Sequence, residues 1–188
     1  MNLKKAIQTR KSIRRYSDKK PDWRKIIQAL DSCRFAPMAG NMFTIRFILV
    51  QDPEKIEKIK QACQQDFVGQ AQYIVVFASD NEKMKKQYAD RGETFARQQA
   101  GATIENFLLT LNEKGLETCW TGYFSQSQIK KILEIPSNQK VEALFPIGLK
   151  TKVTTKPKPK PDLDPLIFFD KWGNRTMKPL GRIRQEWN

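Results

Sequence analysis

The chain of 188 residues contains no histidine. That excludes a Ser-His-Asp or Cys-His catalytic arrangement, and any His-ligated zinc, haem or non-haem iron site, within it. Cysteine is sparse and odd in number. Cys33, Cys63 and Cys119 lie far apart and form no CxxC pair, so neither a zinc knuckle nor a dithiol redox motif is available. Three separated cysteines fit free thiols in a reducing cytosol. Long apolar runs are also missing. The longest, residues 73–78, is far below the roughly 20 residues that span a bilayer. The start, Met1-Asn2-Leu3-Lys4-Lys5, lacks the apolar run of a signal peptide. These absences lead to the expectation of a soluble, cytoplasmic chain without a metal site, long enough for one full-sized core.

What is abundant is positive charge, a formal net +14, and it is unevenly placed. Residues 1–30 hold ten basic and two acidic residues, a balance of +8. Residues 150–188 hold ten basic and four acidic, a balance of +6, and the stretch between is neutral. Two basic ends on a neutral body suggest an anionic ligand or a solubilising surface. No helix-turn-helix, RRM or GxxG pattern accompanies the charge, as a nucleic-acid module would require.

Periodicity places helices over residues 3–9, with Leu3, Ala6 and Ile7 on one face, and from Pro21, with Trp23, Ile26, Ile27, Leu30 and Cys33 at helical spacing. Strands are expected over 45–50, 73–78 (a buried central strand) and 141–149, and helices over 53–64 and 126–133. A long helical region runs from Asn81 to about Glu113. Its stripe of Ala100, Ile104, Phe107, Leu108 and Leu111 offers a dimer surface, and Gly101 within it suggests close packing. Residues 162–169 allow a short helix. The alternating Lys156-Pro157-Lys158-Pro159-Lys160-Pro161, within segment 151–161, should be extended. The tail 170–188 is basic and carries Trp172 and Trp187, which suggests that it wraps its own domain or a partner chain. The whole, 1–188, reads as a single domain.

Four stretches carry chemistry. Arg10-Lys11-Ser12-Ile13-Arg14-Arg15-Tyr16 offers forked cationic donors and a hydroxyl, a set that can surround a phosphate. Ala36-Pro37-Met38-Ala39-Gly40-Asn41 forms a tight loop that can lie against a planar ligand. Gly115-Leu116-Glu117-Thr118-Cys119-Trp120-Thr121-Gly122 is an aromatic turn bracketed by glycines, able to bring backbone N–H groups beside a ring system. Lys158 and Lys160 project from the proline-stiffened run and can reach the same phosphate as the Arg10 loop.

In order and spacing these stretches resemble the flavin-dependent nitroreductase family, from about Ala6 to Phe169. Gly101 to Leu109, with Asn106, resembles that family's central dimer helix, and Pro146-Ile147-Gly148 its closing strand. The resemblance implies an α+β fold with a small, mostly antiparallel sheet flanked by helices, and a homodimer with two FMN sites. It implies cofactor contacts from Arg10, Lys11, Ser12, Arg14, Gln65, Trp120, Thr121, Gly122, Lys158 and Lys160. Pro37, Met38, Ala39 and Asn41 would reach the flavin of the partner subunit. A hydride would pass from NAD(P)H through flavin N5 to a nitroaromatic, quinone or flavin acceptor by a ping-pong mechanism. No side-chain acid, base or nucleophile is required, because the flavin carries the chemistry. This sequence departs from the family at Met38, at Phe43-Thr44-Ile45 and at Thr121. If Phe43, Ile45 and Phe124 line the flavin face, the pocket is apolar and suits flat acceptors. The alternatives are another flavin reaction on the same fold, dehalogenation or flavin fragmentation, and a cofactor-free basic nucleic-acid-binding module.

Overall fold

The computed structural model describes residues 1–151 and 159–177. The chain divides into two compact units, Met1–Val153 and Thr154–Asn188. Unit one holds ten regular elements. In order they are α1 (Leu3–Thr9), α2 (Trp23–Ser32), β1 (Ile45–Val50), α3 (Pro53–Cys63), β2 (Tyr73–Asp80), α4 (Glu82–Tyr88), α5 (Gly92–Glu113), β3 (Glu117–Thr118), α6 (Gln126–Leu133) and β4 (Gln139–Gly148). Among the described residues no helix is long and apolar enough to cross a membrane.

Local chemistry sets many of the boundaries. Asp52 accepts the Glu54 N–H at 2.9 Å and Pro53 occupies the first turn of α3, which ends at Gln64 in the left-handed region (φ 53°). Ser125 caps α6, which ends the same way at Glu134 (φ 56°). The sheet is antiparallel throughout, in the order β1-β2-β4-β3. Its central strand β2 is buried on both faces, as its unbroken apolar run predicts. Val75 and Phe77 face α2 and α5, while Ile74 and Val76 face α3 and α6. Phe77, Phe107 and Phe145 meet pairwise with ring centroids 5.0 to 5.4 Å apart, locking β2, α5 and β4 together.

Several expectations are corrected. The long helix breaks at Ala89 (φ 45°) into α4 and α5, joined by the 3-10 turn Ala89–Arg91. The glycine that permits close packing is Gly92. A Cβ there would lie 2.5 Å from the Met84 carbonyl carbon and oxygen, whereas one at Gly101 would meet no atom within 4 Å. The α5 stripe of Ala100, Ile104, Phe107, Leu108 and Leu111 is buried in this chain's own core, so it cannot be a dimer surface. On α1 only Ala6 is buried, and on α2 Trp23 and Ile27 lie outside the core. Residues 162–169 hold only a 3-10 turn, Asp164–Leu166. Within that second unit Phe168 stacks on Trp172 at 4.6 Å, and Trp172 is 88% exposed. Lys158, most of segment 151–161, and the tail beyond residue 177 with Trp187 lie outside the described residues.

Candidate functional site

The basic loop leaves α1 at Arg10 and is at once tied to the sheet. Ser12 bridges Thr118, and the Ile13 N–H donates to the Thr118 carbonyl at 2.8 Å. Ser17 N–H donates to the Leu149 carbonyl at 3.0 Å. Between these ties Tyr16 is buried, and its hydroxyl donates to the Ile13 carbonyl at 2.8 Å. Burial pushes the Tyr16 phenol well above its ordinary value, so it remains a neutral donor. The side chain presses on Gly148, where a Cβ would come within 2.6 Å of the Tyr16 Cβ. The glycine of the Pro146-Ile147-Gly148 motif is therefore the seat of the loop.

The aromatic turn is built on the same edge. Gly115 (φ 73°) ends α5, and the Leu116 N–H returns to the Leu111 carbonyl at 2.9 Å. Glu117 and Thr118 form β3 against Gly148 and Ile147, a strand that the sequence reading had as a turn. Thr121 exchanges backbone hydrogen bonds with Leu144 at 3.0 Å each way, and its buried hydroxyl donates to the Cys119 carbonyl. Trp120, between these two pinned points, is 44% exposed, and a Cβ on Gly122 would meet nothing within 4 Å. An open shelf therefore lies beside an indole.

The remaining residues of this group arrive from neighbouring loops. Gln65 Nε2 donates to the Tyr123 carbonyl at 3.2 Å. The Arg14 guanidinium lies over Phe67 at 5.7 Å, and Arg10 Nε is 3.8 Å from Glu105 Oε1. Glu117 is a carboxylate that sequence reasoning passed over. Burial raises its pKa, and the charges of Lys150 and Lys11 oppose the rise. The structure thus gathers Arg10, Lys11, Ser12, Arg14, Gln65, Trp120, Thr121 and Gly122 around one sheet edge, a cationic rim beside an open aromatic shelf.

The second loop is anchored elsewhere. Pro37, Met38 and Ala39 line a cavity of about 430 Å³ with Phe95, Gln98, Gln99 and Ala102. Gly40 and Asn41 both adopt left-handed backbone (φ 57° and 56°), and a Cβ on Gly40 would lie 2.6 Å from the Tyr88 hydroxyl. Buried Gln99 holds the exit of the loop. Its Oε1 accepts the Thr44 N–H at 2.9 Å and the Thr44 hydroxyl at 2.7 Å, and its Nε2 donates to the Met42 carbonyl at 2.9 Å. No periodicity marks Gln99, which sits in mid-helix among other polar residues.

One expectation changes here. Ile45 points into the core and is 1% exposed, and Phe43 and Phe124 pack against the two cores, so these three do not form one apolar wall. The thiols are all buried and free. Burial pushes Cys33 up to about 12 and Cys63 up to about 11, which removes both as nucleophiles at neutral pH. Lys160 is exposed in the second unit.

Comparison with known proteins bears on the family and the fold. A curated protein of Archaeoglobus fulgidus carrying the inferred name NADH dehydrogenase/NAD(P)H nitroreductase is 30% identical over 149 residues, spanning 77% of this chain and 83% of that protein. A nitroreductase family protein from Clostridium novyi NT superposes with a TM-score of 0.75 at 26% identity, covering 93% of this chain and 96% of that one. An FMN-dependent nitroreductase from Clostridium difficile R20291 shares the fold, with a TM-score of 0.75 at 24% identity over 89% of this chain and 98% of its own. The nitroreductase family model matches residues 7–65 and 59–149, and the chain belongs to the nitroreductase family.

Proposed function

We propose that this chain is an FMN-dependent NAD(P)H oxidoreductase that works as a homodimer. The observation that carries the reading is the clamping of the basic loop against the Gly115–Gly122 turn, which sets cations and an open aromatic shelf side by side. The residues suit the group. A phosphate monoester is close to doubly charged, and Arg10, Lys11, Ser12 and Arg14 offer it charge-assisted and neutral donors. The space at Gly122 beside Trp120 admits a flat ring, with Gln65 at its polar edge. The chemistry supplied by bound FMN is two-electron transfer from NAD(P)H to a nitroaromatic, quinone or free-flavin acceptor, donor and acceptor taking turns in one position. The chain's own part is to hold, orient and exclude water.

The second loop supports the dimer. Pro37, Met38, Ala39 and Asn41 are anchored on α5 and Tyr88, apart from the strand ties that hold the basic loop, which suits a role toward the flavin of a second copy. The surface that such a copy would cover is apolar. Leu3 and Ile7 on α1, Trp23 and Ile27 on α2, and Phe35 just beyond are each at least 41% exposed. Burying the part of these side chains that is still exposed contributes roughly 1 kcal/mol or somewhat more each.

The test is the Arg10→Ala variant. Charge-assisted hydrogen bonds contribute about 1.5–3 kcal/mol, so FMN affinity should fall roughly tenfold to hundredfold with the dimer intact by sedimentation. Mass spectrometry of the released cofactor should identify FMN. FAD as the major species, or unchanged flavin retention on dilution, overturns the assignment.

A further inference from the structure

A second cavity, of about 280 Å³, opens on the other side of Asn41 and is lined by Met42, Phe43, Thr44, Arg46, Asp80 and Lys83. It lies where the start of β1 meets the end of β2. Arg46 pairs with Ala78 in the strand register, and Asp80 N–H donates to the Thr44 carbonyl at 2.9 Å. Thr44 is in turn held by buried Gln99, so the floor is rigid.

Two cations and one carboxylate wall this space. The carboxylate is partly occupied, since Asp80 Oδ1 accepts the Glu82 N–H at 3.2 Å at the start of α4. Arg46 donates one fork nitrogen to the Ile45 carbonyl at 3.0 Å, which ties one side of the guanidinium to its own strand. Arg46 and Lys83 are both exposed and so accessible. Arg46 and Lys83 in one lining offer a phosphate monoester charge-assisted donors, against the single carboxylate of Asp80. The volume is below the roughly 300–1,000 Å³ of pockets that enclose a whole drug-sized ligand, so it suits one end of a longer molecule.

We propose that this cavity receives the 2′-phosphate of NADPH and makes NADPH the preferred donor over NADH. The inference rests on the oxidoreductase reading above. Asn41 is shared by this cavity and the second loop, which places the phosphate receptor next to the loop assigned to the flavin edge. NADPH and NADH differ only in that phosphate, so a receptor for it acts on donor choice and not on the acceptor.

Two measurements test it. Titration calorimetry of the purified protein with 2′,5′-ADP and with ADP does not depend on flavin turnover. Binding of 2′,5′-ADP should be about tenfold tighter, and the difference should vanish in Arg46→Gln/Lys83→Gln. Steady-state kinetics should give a kcat/KM ratio of NADPH to NADH near ten in the parent, falling about tenfold in the double variant. Lys83→Gln alone, a change at an exposed side chain, should give an intermediate fall if the double variant folds poorly. Equal affinity for the two adenosine phosphates, or a donor ratio that the substitutions leave in place, overturns the proposal. Selective 2′,5′-ADP binding by a protein that neither donor reduces would keep the phosphate site and overturn the oxidoreductase reading instead.

Discussion

The two loops assigned to the cofactor are held in opposite ways. The basic loop is stitched down by main-chain hydrogen bonds at both ends, Ile13 to Thr118 and Ser17 to Leu149, with Tyr16 seated on Gly148 between them. The second loop passes through two left-handed residues, and its exit depends on one buried side chain, Gln99. Backbone stitching tolerates most side-chain changes, because any residue supplies the N–H and the carbonyl. A loop held by one amide depends on that amide. The first arrangement allows the cations to vary with their ligand, and the second concentrates risk at one position.

The largest expected effect lies in the second loop. Gln99→Ala strands the buried Thr44 N–H and the Met42 carbonyl, at about 1–3 kcal/mol for each unsatisfied group. The urea midpoint should drop accordingly, and hydrogen exchange should accelerate at residues 40–46 but not at 12–17. Loss of protection in both loops together would break the contrast drawn here.

Gly148→Ala is the corresponding test of the basic loop. The new methyl would meet Tyr16 Cβ at 2.6 Å and Cγ at 2.7 Å. Overpacking of this kind costs about 1–3 kcal/mol, and displacement of Tyr16 should weaken flavin retention. In a Tyr16→Gly background, which removes the Cβ as well as the ring, Gly148→Ala should cost less, so that part of its penalty is recovered. Absence of any recovery would show that the close approach at Gly148 is not the constraint.

The smallest effect concerns Glu117. Its folded pKa is raised above the ordinary 4.5, chiefly by burial, with Lys150 and Lys11 opposing. A raised folded value means that the folded state favours the protonated carboxyl. The associated stability is therefore present below pH 4.5 and is lost as pH rises through the folded value. Glu117→Gln should be slightly more stable than the parent at pH 7, by less than about 1 kcal/mol because the group is partly solvated, and the gap should close toward pH 4. A gap that widens on acidification would show that the pairing with the lysines outweighs burial.

Much of the fold was legible where one local signal dominated. The run at residues 73–78 reads as a central strand because only a strand covered on both faces is apolar at every position, and β2 is such a strand. Helices α3 and α6 were legible as segments 53–64 and 126–133, and the structure shows Asp52 and Ser125 capping them. Seven of the eight residues gathered at the sheet edge lie in two of the sequence motifs, and Gln65 came only from the family resemblance. Tyr16 and Glu117 lie inside those motifs but were given no role, nor was Gln99 at the second loop, because each matters through a partner dozens of positions away or through burial that no spacing records.

What the sequence determined by itself is the set of chemistries available: no histidine, a cationic loop, a glycine-bracketed aromatic turn, and the family to which that order belongs. Other features were decided only in three dimensions. The two-residue strand β3 exists because β4 offers Gly148 and Ile147 as partners, and two residues carry no pattern of their own. The break at Ala89 opposes local helix propensity and is imposed by the crossing of α5 over α4, where Gly92 lies against the Met84 backbone. The α5 stripe and the Trp23–Ile27 face look alike as helical periodicities. Packing against β2 and β4 buried the first and left the second at the surface, because a one-dimensional pattern shows that a face is apolar but not what covers it.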